Sequence, residues 1–125
     1  MRRRSNEGDH ERIIRQVNTM IAEADLQTAA ELKSQLDRHL AVDQVKVYGS
    51  RARGDADRDS DLDVLVVLEK NTRQQKEQVR AIAWEVGLKH GVVISTIVID
   101  RHELTETPLR SSPFVAAVQR EGIAV

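Results

Sequence analysis

The apolar residues of the first third of the chain recur at helical spacing. Between residues 10 and 24 they lie close to the i, i+3, i+4, i+7 pattern of an amphipathic helix, and residues 26–40 continue it. The pattern leaves open whether residues 10–41 form one bent helix or two, with Asp25 as the candidate cap of a second helix. In either case we expect the apolar side to pack against a sheet.

Three apolar runs further along are typical of β-strands. Residues 45–48 form a short strand pattern, residues 62–68 are apolar on both faces, and residues 92–99 are rich in β-branched side chains. A strand that is apolar on both faces is expected to be covered on both sides. Residues 51–60 are polar and contain Gly54, so we expect no strand there.

Capping signals predict a helix between the second and third strands. Thr72 followed by Gln75 matches a capping box, and Gly91 suits the left-handed residue that follows a helix end. Trp84 lies off the apolar stripe of this helix, and we expect it to be partly buried against a neighbouring element.

The last quarter of the chain predicts a short helix and an edge strand. Residues 100–106 indicate a loop or a short turn of helix, Ser112 and Pro113 are a favourable N-cap and first-turn proline, and residues 123–125 indicate a short edge strand. The order of elements predicts one α/β or α+β domain over residues 10–125. Its sheet is expected to be small and mixed, with three to five strands flanked by helices.

Composition narrows the class of protein. Only 2% of the 125 residues are aromatic and the formal net charge is −1, so we expect neither a stacking platform nor a broad basic surface, and no stable nucleic-acid partner. The chain has no cysteine, which excludes disulfides and fits a cytoplasmic protein. No apolar run is long enough to span a membrane. We expect the basic residues 1–9 to be a disordered end.

Two aspartates open the run of residues 62–68. Side chains alternate along a strand, so Asp61 and Asp63 point to the same side, about 6–7 Å apart along the chain. Two carboxylates this close repel each other, and burial makes it harder to ionise both. A divalent cation between them is the usual solution, and oxygen ligands favour Mg²⁺ or Mn²⁺.

A Gly-Ser turn precedes the two aspartates. If the first two strands are antiparallel neighbours, Gly49 and Ser50 lie beside the carboxylates. Glycine lets a phosphate approach the backbone closely and the Ser50 hydroxyl can donate a hydrogen bond, while Arg51 and Arg53 add positive charge. A site with phosphates on one side and a metal ion on the other suits phosphoryl or nucleotidyl transfer.

The complete motif resembles a known family. Gly49-Ser50, ten residues, and Asp61-Leu62-Asp63 before an apolar strand match the pattern of the DNA polymerase β-like nucleotidyltransferase superfamily. The stretch YGSRARGDADRDSDLDVLVV resembles the minimal nucleotidyltransferases, small prokaryotic proteins that include the MntA-like antitoxins. The match is specific over residues 45–69 and looser elsewhere.

This resemblance implies a nucleotidyltransferase fold, Mg²⁺ or Mn²⁺ as cofactor and ATP as substrate. It also implies a partner, because many minimal nucleotidyltransferases are antitoxins of HEPN-domain ribonuclease toxins, and some transfer AMP to a tyrosine of the toxin. The residues it assigns are the catalytic and metal-binding acids Asp61 and Asp63, the phosphate-holding Gly49 and Ser50, and the assisting Arg51 and Arg53.

The chain departs from the family pattern at one place. Active members usually carry a third acid on a later strand, but residues 92–99 contain none. Val93 or Ser95 occupies the expected position, and Asp100 follows the predicted strand too far along. A missing acid weakens metal binding and removes the obvious general base.

Three functions follow as hypotheses. The first is Mg²⁺-dependent transfer of a nucleoside monophosphate, AMP from ATP, to a protein acceptor, by an antitoxin. The second is a non-catalytic module of the same fold that neutralises a partner by occlusion. The third is transfer to a small molecule such as an aminoglycoside, which would require an acceptor domain supplied by a dimer. The sequence leaves a homo-oligomer open.

Overall fold

The computed structural model describes residues 21–106 and 108–125. The disordered end predicted for residues 1–9, and the helix predicted for residues 10–24 up to residue 20, lie outside these ranges. The first described helix, α1, spans Glu23–His39 and packs Ala29, Leu32 and Leu36 into the core.

The predicted cap at Asp25 was wrong. The N-cap is Ala22, which makes no side-chain capping bond, and Asp25 lies inside the first turn of α1. The Asp25 carboxylate accepts hydrogen bonds from the Arg51 guanidinium instead of from the helix backbone. Asp25 thus forms an ion pair with the distant Arg51, although local sequence rules assign its side chain to helix capping.

Among the residues that the structure describes, the sheet has four strands in the order β3-β2-β1-β4. Strand β1 (Val42–Tyr48) pairs antiparallel with β2 (Leu62–Leu68), and β2 pairs parallel with β3 (Ile94–Asp100). The two-residue β4 (Ile123–Ala124) adds to the free side of β1 in antiparallel sense. The predicted small mixed sheet flanked by helices is confirmed.

Helices cover both faces of β2, as its continuous apolar run predicts. On one face Val64 and Val66 are fully buried beneath α1 and α3 (Arg73–His90). On the other face Leu65 and Val67 pack with Val118. Val118 belongs to α5 (Pro113–Glu121). The burial of β2 on both sides makes it the rigid centre from which Asp63 projects.

The predicted boundaries of α3 are confirmed. The Gln75 N–H donates to Thr72 Oγ1 at 3.2 Å and the Thr72 N–H donates to Gln75 Oε1 at 3.1 Å. Gly91 ends the helix with a positive φ of 70°. Trp84, however, is 65% exposed, so the expectation that it packs against a neighbour was wrong.

The C-terminal part covers the second face of the sheet. After β3 the chain forms the short helix α4 (Arg101–Glu106) and a 3₁₀ turn over Pro108–Ser111. Ser112 then caps α5, with Pro113 in the first turn as predicted. Among the described residues no helix combines the length and apolar character that a membrane span requires.

Candidate active site

The antiparallel pairing of β1 and β2 places the Gly-Ser turn at the aspartates. Tyr48, the last residue of β1, lies opposite Asp63. Gly49 and Ser50 therefore begin the short helix α2 (Gly49–Arg53) next to the start of β2. The condition on which the predicted site depended, that the two strands are antiparallel neighbours, is met.

Gly49 is held against the Asp63 carboxylate. Its φ is +78°, in the left-handed region, and a Cβ at this position would lie 2.5 Å from Asp63 Oδ2. Glycine is needed here for two reasons, the backbone angle and the space. The Asp63 carboxylate therefore lies directly beside the backbone of the Gly-Ser turn.

The two aspartates lie at the start of β2: Asp61 immediately precedes the strand and Asp63 is its second residue. Asp61 is exposed at the end of the sheet, while Asp63 is half-buried. Burial raises the pKa of Asp63, and the negative charge of Asp61 raises it further. Burial also raises the pKa of Tyr48, with a smaller contribution from Asp63. The site therefore concentrates negative charge where solvation is reduced.

This arrangement fits a divalent cation. Asp61 and Asp63 offer oxygen donors on one side of the strand, and a cation would offset the repulsion and burial that raise the Asp63 pKa. Mg²⁺ is commonly held by one or two carboxylates together with substrate phosphates and water. The two aspartates match the protein ligands of that mode of binding.

The third strand brings no acid to the two aspartates. Ser95 pairs with Asp63 across β2 and β3, and the Val93 carbonyl, just before β3, accepts the Leu62 N–H at 2.8 Å. Asp100 is the last residue of β3 rather than the first after it, and it pairs with Leu68. It also accepts the Glu103 N–H at 2.7 Å. Within residues 21–106 and 108–125 no cluster of three His, Asp or Glu residues could hold a metal ion.

Arg51 is engaged by the protein itself. Its Nη1 lies 3.0 Å from Asp25 Oδ1, its Nε donates to the Ser60 carbonyl at 2.7 Å, and its Nη2 donates to the Arg58 carbonyl at 2.9 Å. Its side chain is 15% exposed. These bonds tie α1, α2 and the loop that leads into Asp61 together, so the contacts observed for Arg51 position the site. Its predicted contact with nucleotide stays a prediction.

Arg53 and Ser50 lie closer to solvent. The Arg53 side chain is 58% exposed, and its Nε lies 3.3 Å from Asp55 Oδ2. Ser50 is half-buried at the start of α2, and its carbonyl accepts the Asp55 N–H. The roles predicted for both residues in holding phosphates stay predictions.

A small cavity of about 150 Å³ adjoins the Gly-Ser turn. Its walls include Tyr48 and Phe114, whose rings meet edge to face at 5.3 Å between centroids. Sequence reasoning did not connect Phe114 or Asp25 to the site, because both come from distant helices. The one sequence signal for such distant contacts was the high number of charged residues in and around Arg51–Ser60, since charged side chains require partners.

Comparisons with known proteins find a matching family, a similar protein and a similar solved structure. The model of the family described as Nucleotidyltransferase domain matches residues 29–125. A Methanocaldococcus jannaschii protein named "Putative protein adenylyltransferase MJ0141" is 35% identical over 95 residues, which cover 75% of this chain and 83% of that protein. The crystal structure of a "putative nucleotidyltransferase" from Sulfolobus solfataricus aligns with a TM-score of 0.43 at 18% identity, over 82% of this chain and 86% of that chain.

The family match covers more than half of the chain, and it includes the Gly-Ser turn, both aspartates and all four strands. The resemblance to minimal nucleotidyltransferases is thereby confirmed. The chain belongs to the nucleotidyltransferase domain family and is a nucleotidyltransferase.

Proposed function

We propose that the protein transfers AMP from ATP to a protein acceptor in a Mg²⁺-dependent reaction, and that it acts as an antitoxin to a HEPN-type toxin. The observation that carries the proposal is the contact between Gly49 and the Asp63 carboxylate at the open end of the β1–β2 pair. In this proposal the backbone that would receive the phosphates and the oxygens that would hold the metal ion meet at this point.

Each residue of the site has a distinct role in this proposal. Asp61 and Asp63 would hold Mg²⁺, which neutralises phosphate charge when bound. Gly49 gives the phosphates access to the backbone, and Ser50 and Arg53 donate to their oxygens. The acceptor hydroxyl oxygen bonds to the α-phosphorus, the bond to the bridging oxygen breaks, and pyrophosphate leaves with that electron pair.

The proton of the acceptor hydroxyl passes to solvent in this scheme. Ser95 stands opposite Asp63 where a third carboxylate would act as base, and a neutral serine hydroxyl is a poor base. Positioning and charge neutralisation then supply most of the rate, which makes slow turnover the expected behaviour.

Two observations support a protein as acceptor. The Methanocaldococcus relative carries protein adenylyltransferase in its name. In the described structure Asp61 is exposed at the end of the sheet, so a surface hydroxyl of a large molecule can reach it.

The test is to incubate the protein with ATP, Mg²⁺ and the product of the neighbouring reading frame, and then to weigh that product. The proposal predicts that the mass of this product increases by one AMP group. The double variant of Asp61→Asn and Asp63→Asn should abolish the increase. An unchanged mass with a folded and associated pair would refute it.

The second candidate is a non-catalytic module that neutralises a partner by occlusion. The absence of an acid at Ser95 and Val93 favours it. In that case the double aspartate variant would still neutralise the partner. If neutralisation is lost while the two proteins still associate, occlusion is excluded.

A further inference from the structure

The cavity beside the Gly-Ser turn lies on the face of the sheet from which Asp63 projects. Tyr48, which lines the cavity, pairs with Asp63 across β1 and β2, and directly opposed residues of antiparallel strands point to the same face. On this face Tyr48 packs against the apolar cluster that includes Leu65 and Val118. The cavity and the Asp63 carboxylate therefore share one face of the sheet.

Gly49 joins this cavity to the aspartates. It lines the cavity of about 150 Å³, and a Cβ on it would lie 2.5 Å from Asp63 Oδ2. One residue without a side chain thus separates the cavity from the carboxylate that would hold the metal ion. A nucleotide whose phosphates bind at the Gly-Ser turn carries its nucleoside within reach of the cavity.

The walls of the cavity suit a flat and neutral group. The aliphatic part of the lining comes from α2 and α5 and consists of Ala52, Ala117 and Val118, and the aromatic part is Tyr48 and Phe114. Phe114 is 43% exposed although its side chain is large and apolar, so a bound ring can cover it. A cavity of about 150 Å³ accepts a single aromatic ring when its walls are apolar.

The charged residues of the lining favour a nucleobase over a phosphate. Arg53 and Glu121 both line the cavity, and both side chains are mostly exposed, so their charged groups lie on its open side. The Glu121 carboxylate would repel a phosphate group. A guanidinium and a carboxylate can, however, bond to the acceptor and donor atoms on the edge of a nucleobase. The base is the neutral, planar part of a nucleotide, so it matches this lining.

An acceptor side chain matches the cavity less well. The hydroxyl of such a side chain is at its tip, so seating it here would place the reacting oxygen beside Ala52 and Val118, which are both buried. A nucleobase is joined through its ribose to the α-phosphate. It can therefore fill the cavity while the α-phosphorus stays at Asp61 and Asp63.

We propose that the cavity between α2 and α5 binds the nucleobase of the substrate nucleotide, with the ring of the base against Phe114 and its polar edge toward Arg53 and Glu121. The C-terminal helix α5 thereby adds to the affinity for nucleotide. This inference rests on the proposed transfer of AMP from ATP, for which it supplies the means of holding the adenine.

The test compares the binding of ATP with that of inorganic tripolyphosphate, which has no base, by calorimetry in the presence of Mg²⁺. Ala117→Leu fills the cavity and Phe114→Ala removes its exposed ring, so each should lower the ATP affinity by at least about fivefold. Their affinity for tripolyphosphate should stay within about twofold of the wild type. Ala116→Leu is the matched control, since Ala116 is exposed on the same helix outside the cavity lining, and it should bind both ligands as the wild type does.

A fluorescent base shows whether the base, and not the ribose, occupies the cavity. The probe is 2-aminopurine riboside triphosphate, whose emission depends on what surrounds the base. At saturating concentration with Mg²⁺, its emission should change on binding to the wild type and to Ala116→Leu, and should stay near the value of the free probe with Ala117→Leu. An equal change with Ala117→Leu would place the base elsewhere and overturn the inference.

The outcomes separate this inference from the proposed function. If the wild type binds neither ATP nor tripolyphosphate with Mg²⁺, both proposals fail. If it transfers AMP to a protein but binds ATP no more tightly than tripolyphosphate, the base site is wrong and the proposed function stands.

Two results with the cavity variants also contradict a base site. An equal loss of affinity for ATP and for tripolyphosphate would assign α5 to positioning the phosphates. A loss of AMP transfer with unchanged ATP affinity would assign the cavity to the acceptor.

Discussion

At the scale of single residues, the site depends on how closely Gly49 approaches Asp63. The distance of 2.5 Å from a hypothetical Cβ to Asp63 Oδ2 means that any side chain at position 49 must displace the carboxylate. Since that carboxylate is the far end of a side chain, it can rotate away at small cost. A side chain at position 49 should therefore change the position of the Asp63 carboxylate more than it changes the fold.

Gly49→Ala tests this relation against Gly91→Ala. Both glycines have a positive φ, +78° and +70°, but a Cβ at Gly91 would meet nothing within 4 Å. We expect each variant to lose about 1–2 kcal/mol of unfolding free energy from backbone strain. Only Gly49→Ala should also lose at least about tenfold in Mg²⁺-ATP affinity by calorimetry. If Gly49→Ala and Gly91→Ala bind Mg²⁺-ATP with equal affinity, the contact between Gly49 and the Asp63 carboxylate does not matter for the site, against this prediction.

The charge of Asp63 should cost stability when no metal is bound. Its raised pKa means that the folded state holds a proton more tightly than the unfolded state, so unfolding free energy falls as pH rises from the ordinary aspartate pKa of about 4 through the raised value. Asp63→Asn should therefore raise the melting temperature in EDTA at pH 7. This rise in melting temperature should be smaller near pH 4, where the wild-type carboxyl is itself largely protonated.

Asp59→Asn is the control for that measurement. Asp59 is an exposed acid of the loop before the motif, and its replacement should leave the melting temperature nearly unchanged. A lower melting temperature for Asp63→Asn at pH 7 would show that the carboxylate stabilises the folded protein without metal, against this account.

At the scale of elements, Arg51 joins three parts of the chain that carry the site. Its guanidinium bonds to α1 through Asp25 and to the loop through the carbonyls of Ser60 and Arg58. The planar fork of arginine suits this set of acceptors, whereas a lysine ammonium cannot reach all of them together. The loop that leads into Asp61 is held by these bonds.

Arg51→Lys should lower the unfolding free energy by about 1–3 kcal/mol, measured in urea, because the part-buried Asp25 carboxylate and Ser60 carbonyl lose donors. Arg53→Lys on the same short helix should change it by less than about 0.5 kcal/mol, since that side chain is mostly exposed. If Arg51 instead serves mainly to bind nucleotide, its lysine variant will lose ATP affinity while its stability stays unchanged.

The position of Ser95 allows the missing acid to be restored. It faces the same side as Asp63 on the neighbouring strand, so Ser95→Asp would give the site a third carboxylate. We expect tighter Mg²⁺ binding by several-fold and a less stable metal-free protein, because three acids repel more than two. Thr96→Asp points to the opposite face of β3 and should not tighten Mg²⁺ binding. Unchanged affinity in Ser95→Asp would place the metal away from β3.

Much of this element structure is predictable from local signals. The Thr72 capping box, Gly91 and the pair of Ser112 and Pro113 each satisfy backbone groups within a few residues, so the helix limits they predict agree with the structure. The cap predicted at Asp25 was wrong because the bonds of this side chain are not local. Its partner, Arg51, lies 26 positions away, and no local rule reports a contact at that separation.

At the scale of the whole molecule, strand order decides what the site contains and what surrounds it. The motif brings Gly49 beside Asp63 only if the first two strands are antiparallel neighbours, and the structure shows that they are. The sequence does not show that β3 lies at the sheet edge, because edge position depends on where the last strand pairs. Among the described residues β4 pairs on the far side of β1 and no strand pairs with the outer edge of β3; Trp84 is exposed there, so its expected burial was wrong.

The most direct test of the account is calorimetric titration of ATP with and without Mg²⁺. The account predicts that the wild type binds ATP tightly only with Mg²⁺, and that the double variant of Asp61→Asn and Asp63→Asn loses this Mg²⁺-dependent gain while remaining folded. Equal ATP affinity with and without Mg²⁺ in the wild type, or an undiminished gain in the double variant, would contradict a metal-nucleotide site at the end of the β1–β2 pair.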